Sequence, residues 1–423
     1  MLQVNFIREN KDAVINGLKK RNLDASSLIE EVIAIDDSRK KCQSEADTVS
    51  AEANTIAKLI GQMMKEGKKD EAEIAKAKTA ELKASQKEFS SKLSEIEDSL
   101  RSKLLAIPNV PHESVPAGNS ENDNELIFQE GEIPTNTEDF LPHWELTKKY
   151  SLIDFELGVK LTGAGFPVYT GKGAKLQRAL INFFLDEADK AGYREVQPPI
   201  LVNEESGYGT GQLPDKDGQM YFVNEDKLYL IPTAEVPVTN IYRDVIVDES
   251  ELPIKNTAYT PCFRREAGSY GKDVRGLNRL HQFDKVEVVQ ITHPDNSYST
   301  LDTMCEYVEG LLRKLELPFR KLRLCGGDLG FTAALTFDME VYSSAQNRWL
   351  EVSSISNFET YQANRLKLRI KDKDNKKQLA HSLNGSALAL PRIVAALLEN
   401  NQCPEGIKIP KALQNYTGFA IVN

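Results

Sequence analysis

The first 107 residues contain no proline, so nothing in that stretch breaks a helical backbone. Apolar and small residues recur at Leu28, Val32, Ile35, Cys42, Ala46, Val49, Ala53, Ile56, Ile60 and Met63, in steps of 3 and 4 with one step of 7. That is a heptad seam. Glu66-Gly67-Lys68-Lys69-Asp70 interrupts it, and a second seam follows at Leu82, Phe89, Leu93, Ile96, Leu100 and Leu104. The pattern predicts two long helices joined by a short turn, an antiparallel coiled-coil hairpin. At 1.5 Å per residue, an arm of ~38 residues is about 57 Å long, more than a typical domain is wide, so the hairpin is expected to project. Ala46 and Ala53 on the seam favour close packing of just two helices. Periodicity does not choose between a spacer, a dimerisation element and an RNA-binding arm. Ahead of the seam, Lys19, Lys20 and Arg21 stand at an expected helix C-terminus, a place that suits a cap as well as an RNA contact.

Ile107-Pro108-Asn109-Val110-Pro111 ends the arm, because proline cannot continue a helix and restricts the residue before it. The expected organisation is a helical hairpin over 1–107, a polar connector with strand fragments over 108–140, and a mixed domain over 141–423. The composition, 40% hydrophobic and 27% charged in 423 residues, is that of an ordinary globular chain. The chain has no apolar run near the roughly 18 residues of a membrane span and no leader-like start, so a cytoplasmic protein without a membrane partner is expected. Five cysteines and five histidines are scattered without CxxC or HExxH spacing, which argues against a disulfide framework and a zinc site. The net charge is −10. The first 107 residues carry 19 basic and 19 acidic side chains, so the excess lies in the remainder and the hairpin can offer local basic faces.

The densest chemistry lies between Ala258 and Glu287. YTPCF and HQFDKVEVVQI read as strands, and AGSYGKDVRGLNR between them is rich in glycine and cations. Arg264, Arg265 and Glu266 end the first strand; Phe283 and Glu287 lie on the second. Guanidinium groups suit phosphates, an aromatic ring suits a base, and a carboxylate accepts from an exocyclic amine, so the hairpin fits a nucleoside triphosphate. An arbitrary FRRE is more often a surface ion-pair hairpin, so the flanking stretches decide. Leu176, Leu180, Phe183, Phe184 and Ala188 predict one face of a helix that Gly192 stops, followed by a strand over Tyr193–Val202 with prolines suited to an edge or an interface. Thr233-Ala234-Glu235 can be a helix N-cap with an acidic first turn. Tyr298–Leu315 predicts an amphipathic helix. Glu351-Val352-Ser353-Ser354 near a strand end puts a carboxylate beside hydroxyl oxygens of the kind Mg²⁺ prefers. From Leu383 to Glu399 a strand enters an apolar helix with Arg392 at its start, where helix termini favour anions.

The hairpin, TAE, FRRE, HQFDKVE, EVSSISN and NGSALALPR follow one another as in the seryl-tRNA synthetase family of bacterial type, within the class II aminoacyl-tRNA synthetases, and the resemblance spans nearly the whole chain. It implies an α+β fold: an N-terminal two-helix arm plus a catalytic domain built on an antiparallel sheet flanked by helices. It implies a homodimer through the 176–202 unit. It further implies ATP-dependent activation of L-serine and transfer to serine tRNA, with the long variable arm of the tRNA on the helical hairpin and selenocysteine tRNA as a further substrate. Carried over by position, the catalytic residues are Arg264, Glu351 and Arg392. Serine binding falls to Thr233, Ala234, Glu235, Arg264, Glu287 and Ser386. ATP binding falls to Arg264, Arg265, Glu266, Leu280, Phe283, Glu351, Val352, Ser353, Ser354 and Arg392, with Glu351 and Ser354 holding Mg²⁺. Arg265 stands where the family has Ser, and Ala387 and Pro391 where it has Gly. The alternatives are a synthetase-like paralogue that activates an amino acid without charging tRNA, against which the intact arm argues, and a coiled-coil scaffold without catalysis, against which the charged motif positions argue.

Overall fold

The structure, a computed structural model, describes residues 1–135, 138–268 and 275–423. Much of the basic tip expected between the two strands, residues 269–274, therefore lies outside the described residues. The chain divides into two compact units, one made of Leu2–Lys19 and Leu23–Pro108 and the other of Met1, Lys20–Asn22 and Asn109–Asn423.

The first unit consists of α1 (Val4–Glu9), α2 (Lys11–Lys19), α3 (Ser26–Lys65) and α4 (Lys69–Ala106). Cross-helix pairs set α3 and α4 antiparallel: Lys103 with Glu31 at 2.5 Å, Gln86 with Ser50 at 3.2 Å, and Lys78 with Glu52 at 2.6 Å. Every residue of the first seam is buried or half-buried. Gly67, at φ +78°, makes the turn between the helices. Ile29 and Asp36 are buried as well and fall off the seam. Asp36 is held by Arg8 and Arg39 at 2.9 Å and Lys40 at 3.0 Å. Burial would raise its pKa, but these three cations hold it below the ordinary value. The second seam starts earlier than expected, with Ala72 fully buried, because two helices at close range pack small residues as readily as large ones.

Of the three cations before the arm, Lys20 and Arg21 belong to the larger unit. Lys20 Nζ donates to the carbonyls of Glu113 (2.7 Å) and Val115 (3.0 Å), and Arg21 to those of Asn109 (2.8 Å) and Leu329 (2.7 Å). They satisfy loop carbonyls, of which those of Val115, Asn109 and Leu329 are partly buried. Lys19 bonds Asn16 at 3.2 Å within its own helix.

The larger unit is built on an eight-stranded sheet. Its strands are β1 (Glu125–Glu130), β2 (Arg194–Glu195), β3 (Ile254–Phe263), β4 (Gln282–Thr292), β5 (Phe319–Arg323), β6 (Leu335–Ser343), β7 (Arg348–Asn357) and β8 (His381–Ala389), in the order β1-β5-β6-β7-β8-β4-β3-β2. All neighbours are antiparallel except β2 with β3. The expected connector thus supplies an edge strand, β1. The strand expected over Tyr193–Val202 is corrected: only Arg194–Glu195 joins this sheet, while Leu201–Val202 pairs with Leu230 and Tyr229 elsewhere. Pro198 and Pro199 lack the amides a continuous ladder needs.

Around the sheet stand α5 (His143–Lys149), α6 (Gly171–Lys190), α7 (Glu235–Asn240), α8 (Ser297–Lys314), α9 (Thr360–Leu366) and α10 (Leu390–Asn400). Leu176, Leu180, Phe183, Phe184 and Ala188 on α6 are all buried, as their spacing predicts. One face of the sheet, with Val286, Val288, Phe337, Met339, Ile355 and Leu383, packs into the core with α6, α8 and α10. Among the described residues no helix is long and apolar enough to cross a membrane.

Phe184 is fully buried in this core whereas Ile74 on α4 is 73% exposed. Phe184→Ala is expected to lower unfolding free energy by about 3–5 kcal/mol, and Ile74→Ala to change it by less than about 0.5 kcal/mol. Urea unfolding followed by circular dichroism measures both. Similar losses in the two variants would contradict this placement of the core.

Candidate active site

Side chains two apart on a strand share a face, and register carries that face across the sheet. On β4, Lys285 and Glu287 point away from the core. Glu287 stands opposite Ser386 and Ala258, and Val289 opposite Asn384. Ser356 pairs with Asn384 and with Thr336, and Ser354 with Asp338. One face therefore carries polar groups from four adjacent strands, β4, β8, β7 and β6, with Ala258, Thr260 and Cys262 of β3 continuing it.

A β-bulge completes this face. Met339 pairs with Ser353 and Glu340 with Glu351, so Val352 is the extra residue on β7. Plain alternation from Ser354 would turn Glu351 toward the core. The extra residue returns it to the side of Asp338 and Glu340. Val352 and Ser353 are correspondingly buried, each 1% exposed, and Ser353 Oγ donates to the Ser386 carbonyl at 2.5 Å. Their side chains are thus not brought to the site; only their backbone borders it.

At the β3–β4 end, Thr233 precedes α7 and its hydroxyl accepts from the Glu235 amide at 3.2 Å, while the N-cap position falls to Ala234 and carries no side-chain cap bond. The Glu235 side chain is nevertheless enclosed. It accepts from Gln362 at 2.6 Å and from Asn384 at 2.8 Å, and Asn384 also donates to Glu287 at 3.1 Å. Lys285 Nζ is 2.5 Å from Glu287, and Ser386 Oγ donates to Glu287 at 3.4 Å. Burial first, and then the Glu287 carboxylate, push Glu235 up to about 7, against the pull of Gln362, Lys285 and Arg264. Two carboxylates, one lysine and several neutral donors thus share one enclosure, with net negative charge once Glu235 ionises. Ala234 packs in a small apolar cluster with Val238, Ala258 and Val289.

Arg264 follows the end of β3. Its guanidinium lies 5.2 Å from the Phe283 ring centroid, and its Nε donates to the Pro232 carbonyl at 3.4 Å. Glu266 is paired with Arg279. Arg265 is exposed and its amide donates to the Gln219 carbonyl at 2.8 Å. The Leu280 side chain is buried in the core, leaving its backbone at the site. At the β6–β7 end, Arg392 donates to the Glu351 carbonyl at 2.7 Å with the Glu351 carboxylate 3.7 Å away, and its Nε donates to the Asn278 carbonyl at 3.4 Å. Burial and then Glu351 push Asp338 well above the ordinary carboxylate range, only partly offset by a hydrogen bond from Ser354. Burial also raises Glu340, against Arg320. Asp338, whose Oδ1 lacks a hydrogen-bond partner among the described residues, stands with Glu340 and Glu351 as hard-oxygen donors at this end, but among the described residues no three acidic, histidine or cysteine side chains are arranged to hold a metal ion.

Two of the departures from the family pattern, Ala387 and Pro391, are accommodated. Ala387 is fully buried and its side chain joins the core cluster, away from the polar face. Pro391 sits in the first turn of α10, where a missing amide costs no helical bond.

Lys285, Asn384, Gln362, Asp338 and Glu340 were not among the sequence candidates. Four of them had a signal, being two residues from a candidate or from each other on a strand. Gln362 had none, since its approach to Glu235 is set by the packing of α9.

Residues 221–401 match the class II core-domain model of tRNA synthetases for G, H, P, S and T, and residues 1–111 match the seryl-tRNA synthetase N-terminal domain. The chain is 50% identical over 422 residues to the serine–tRNA ligase of Salinibacter ruber, covering 99% of both chains. It is 46% identical over 430 residues to that of Chloroherpeton thalassium, covering 100% of each. Among solved structures, the seryl-tRNA synthetase of Pyrococcus horikoshii complexed with ATP superposes with a TM-score of 0.91 at 33% identity, over 100% of this chain and 99% of that one.

Replacing Lys285 by Met removes a cation that favours ionised Glu235, so the Glu235 pKa is expected to climb above about 7. Carbon NMR of the glutamate carboxyl groups reads this directly; an unchanged or lower value would contradict the assigned electrostatics. Taken together, the sheet, the sequence of motif positions and the full-length relatives establish that the chain belongs to the seryl-tRNA synthetase family, and with it to the class II aminoacyl-tRNA synthetases.

Proposed function

We propose that this chain ligates L-serine to the 3′ end of serine tRNA at the expense of ATP, and that the polar sheet face is where it does so. The observation that carries the reading is the enclosure around Glu235 and Glu287. Its carboxylates attract an ammonium group, and its Ser386 and Thr233 hydroxyls suit the small hydroxyl of serine. A pocket that hydrogen-bonds that hydroxyl rejects alanine by roughly 10⁴–10⁵, because its buried polar groups would otherwise go unpaired.

In the first step a serine carboxylate oxygen bonds to the α-phosphorus, the bond from that phosphorus to the bridging oxygen breaks, and pyrophosphate leaves. Serine attacks as a carboxylate, so no protein group has to remove a proton. Arg264 would hold the α-phosphate and the serine carboxylate, with the adenine against Phe283, Glu266 and the Leu280 backbone. Arg392 would take the γ-phosphate. Glu351 and Ser354 would hold Mg²⁺, which when bound screens the phosphate oxygens from one another. The tRNA 3′ terminal hydroxyl then attacks the acyl carbon and AMP leaves.

In this reading residues 1–107 form the tRNA-binding domain, residues 108–140 the connector and residues 141–423 the catalytic domain. The hairpin receives the long variable arm of the tRNA through shape and phosphate, and the same surface would serve selenocysteine tRNA. The enzyme works in the cytoplasm as a homodimer. The dimer is proposed through α6 and the edge strand β2, which border a groove of about 650 Å³ that includes Gln177, Arg178, Glu195 and Asp284.

Serine-dependent exchange of pyrophosphate into ATP tests the first step. Serine alone of a panel of amino acids is expected to support it, and exchange with another amino acid in preference would refute the assignment. Deleting residues 38–104 is expected to leave exchange largely intact while abolishing charging of serine tRNA; equal loss of both would refute the division of labour. Glu235 is neutral below about 7 and charged above it, so its attraction for an ammonium group fades as the solution is acidified. KM for serine is expected to rise between about pH 8 and about pH 6, approaching about tenfold per unit at the acid end. A flat profile would exclude Glu235 as the ammonium site.

A further inference from the structure

A second buried polar cluster lies outside the sites described so far. His143, the first residue of α5, and Glu399, near the end of α10, both have fully buried side chains. The Leu277 amide donates to His143 Nε2 at 2.8 Å. That nitrogen therefore carries no proton, which places the ring proton on Nδ1, 2.7 Å from Glu399 Oε1. The same carboxylate also accepts from the His143 amide at 2.9 Å, from Gln346 Nε2 at 3.0 Å and from the Ser343 hydroxyl. Gln346 in turn accepts from Asn278 Nδ2 at 3.0 Å. Gly276, at φ +60°, lies so close to the imidazole that a Cβ there would run into Nε2. Residues 276–278 lead through 279–281 into β4. Asn278 presents its carbonyl to Arg392, which shares α10 with Glu399.

We infer that His143, oriented by Glu399, is a positioning residue for ATP. It fixes the turn at Gly276–Asn278, and through that turn the Leu280 backbone and the Arg392 guanidinium. The side chain lies more than 120 residues from the phosphate-binding motifs in sequence and touches no group proposed to contact substrate. Its amide-accepting nitrogen is the one contact from this pair to the turn's backbone among the described hydrogen bonds. Without the imidazole Glu399 keeps three of its four donors and stays held, whereas the Leu277 amide loses its acceptor, so the displacement falls chiefly on the turn. The consequence belongs to the nucleotide end of the site. The enclosure around Glu235 is built from α7, α9 and the middles of β4 and β8, and shares none of these bonds.

This inference rests on the proposed function, and pyrophosphate exchange separates the two. His143→Ala is expected to raise KM for ATP about 10-fold while KM for serine changes less than about 2-fold, and hydrogen exchange at the Leu277 amide is expected to accelerate. Gln346→Ala, at a half-buried position, removes the side-chain tether to Asn278 and is expected to shift KM for ATP in the same direction by about 3-fold. It decides the matter if the His143 variant does not fold. Unchanged KM for ATP in the folded variants, or equal increases for ATP and serine, would overturn the positioning role while leaving the ligase reading in place. Absence of serine-dependent exchange in the unaltered protein would instead overturn the ligase reading.

Discussion

The site depends on the two-residue period of antiparallel strands. Once Val286 and Val288 are committed to the core, Lys285 and Glu287 have to face the other way, and register then decides which residues of the neighbouring strands stand beside them. Five strands drawn from residues 254 to 389 present one continuous polar face in this way. A single extra residue, Val352, keeps Glu351 on that face. The bulge is therefore a device for aiming a carboxylate, and its cost in lost ladder bonding is confined to one position.

Concentrating like charge on one face is electrostatically unfavourable, and the pKa values record it. Glu235 is lifted to about 7, and Asp338 and Glu340 are raised as well, in each case with burial as the first cause. Lys285 and Arg392 offset part of this charge without cancelling it. At the Glu235 end the remaining charge is of the kind that the ammonium group of the proposed substrate would relieve.

Much of this was legible in the residues. The heptad seams foretold α3 and α4, because coiled-coil packing is a local rule repeated many times. The two strands around Arg264 and Phe283 and the strand-to-helix passage at Arg392 were legible for the same reason, since periodicity and breakers determine them. Long-range packing was not. Gln362 reaches Glu235, and His143 reaches Leu277, through contacts between elements with no shared period. The burial of Asp36 depends on Arg8 of another helix. The family resemblance places Ser353 and Val352 in the ATP site by position, but the bulge turns both side chains inward. Even there, a single register shift would have been needed to see it, and no sequence pattern marks one.

The claim beneath the whole account is that groups from separate strands form one continuous binding face. A crystal structure with a non-hydrolysable seryl-adenylate analogue tests it most directly. The account requires the amine of the analogue beside Glu235 and Glu287, its phosphate mimic at Arg264 and its adenine ring against Phe283. An analogue bound elsewhere, or bound with its amine turned away from both carboxylates, would contradict it.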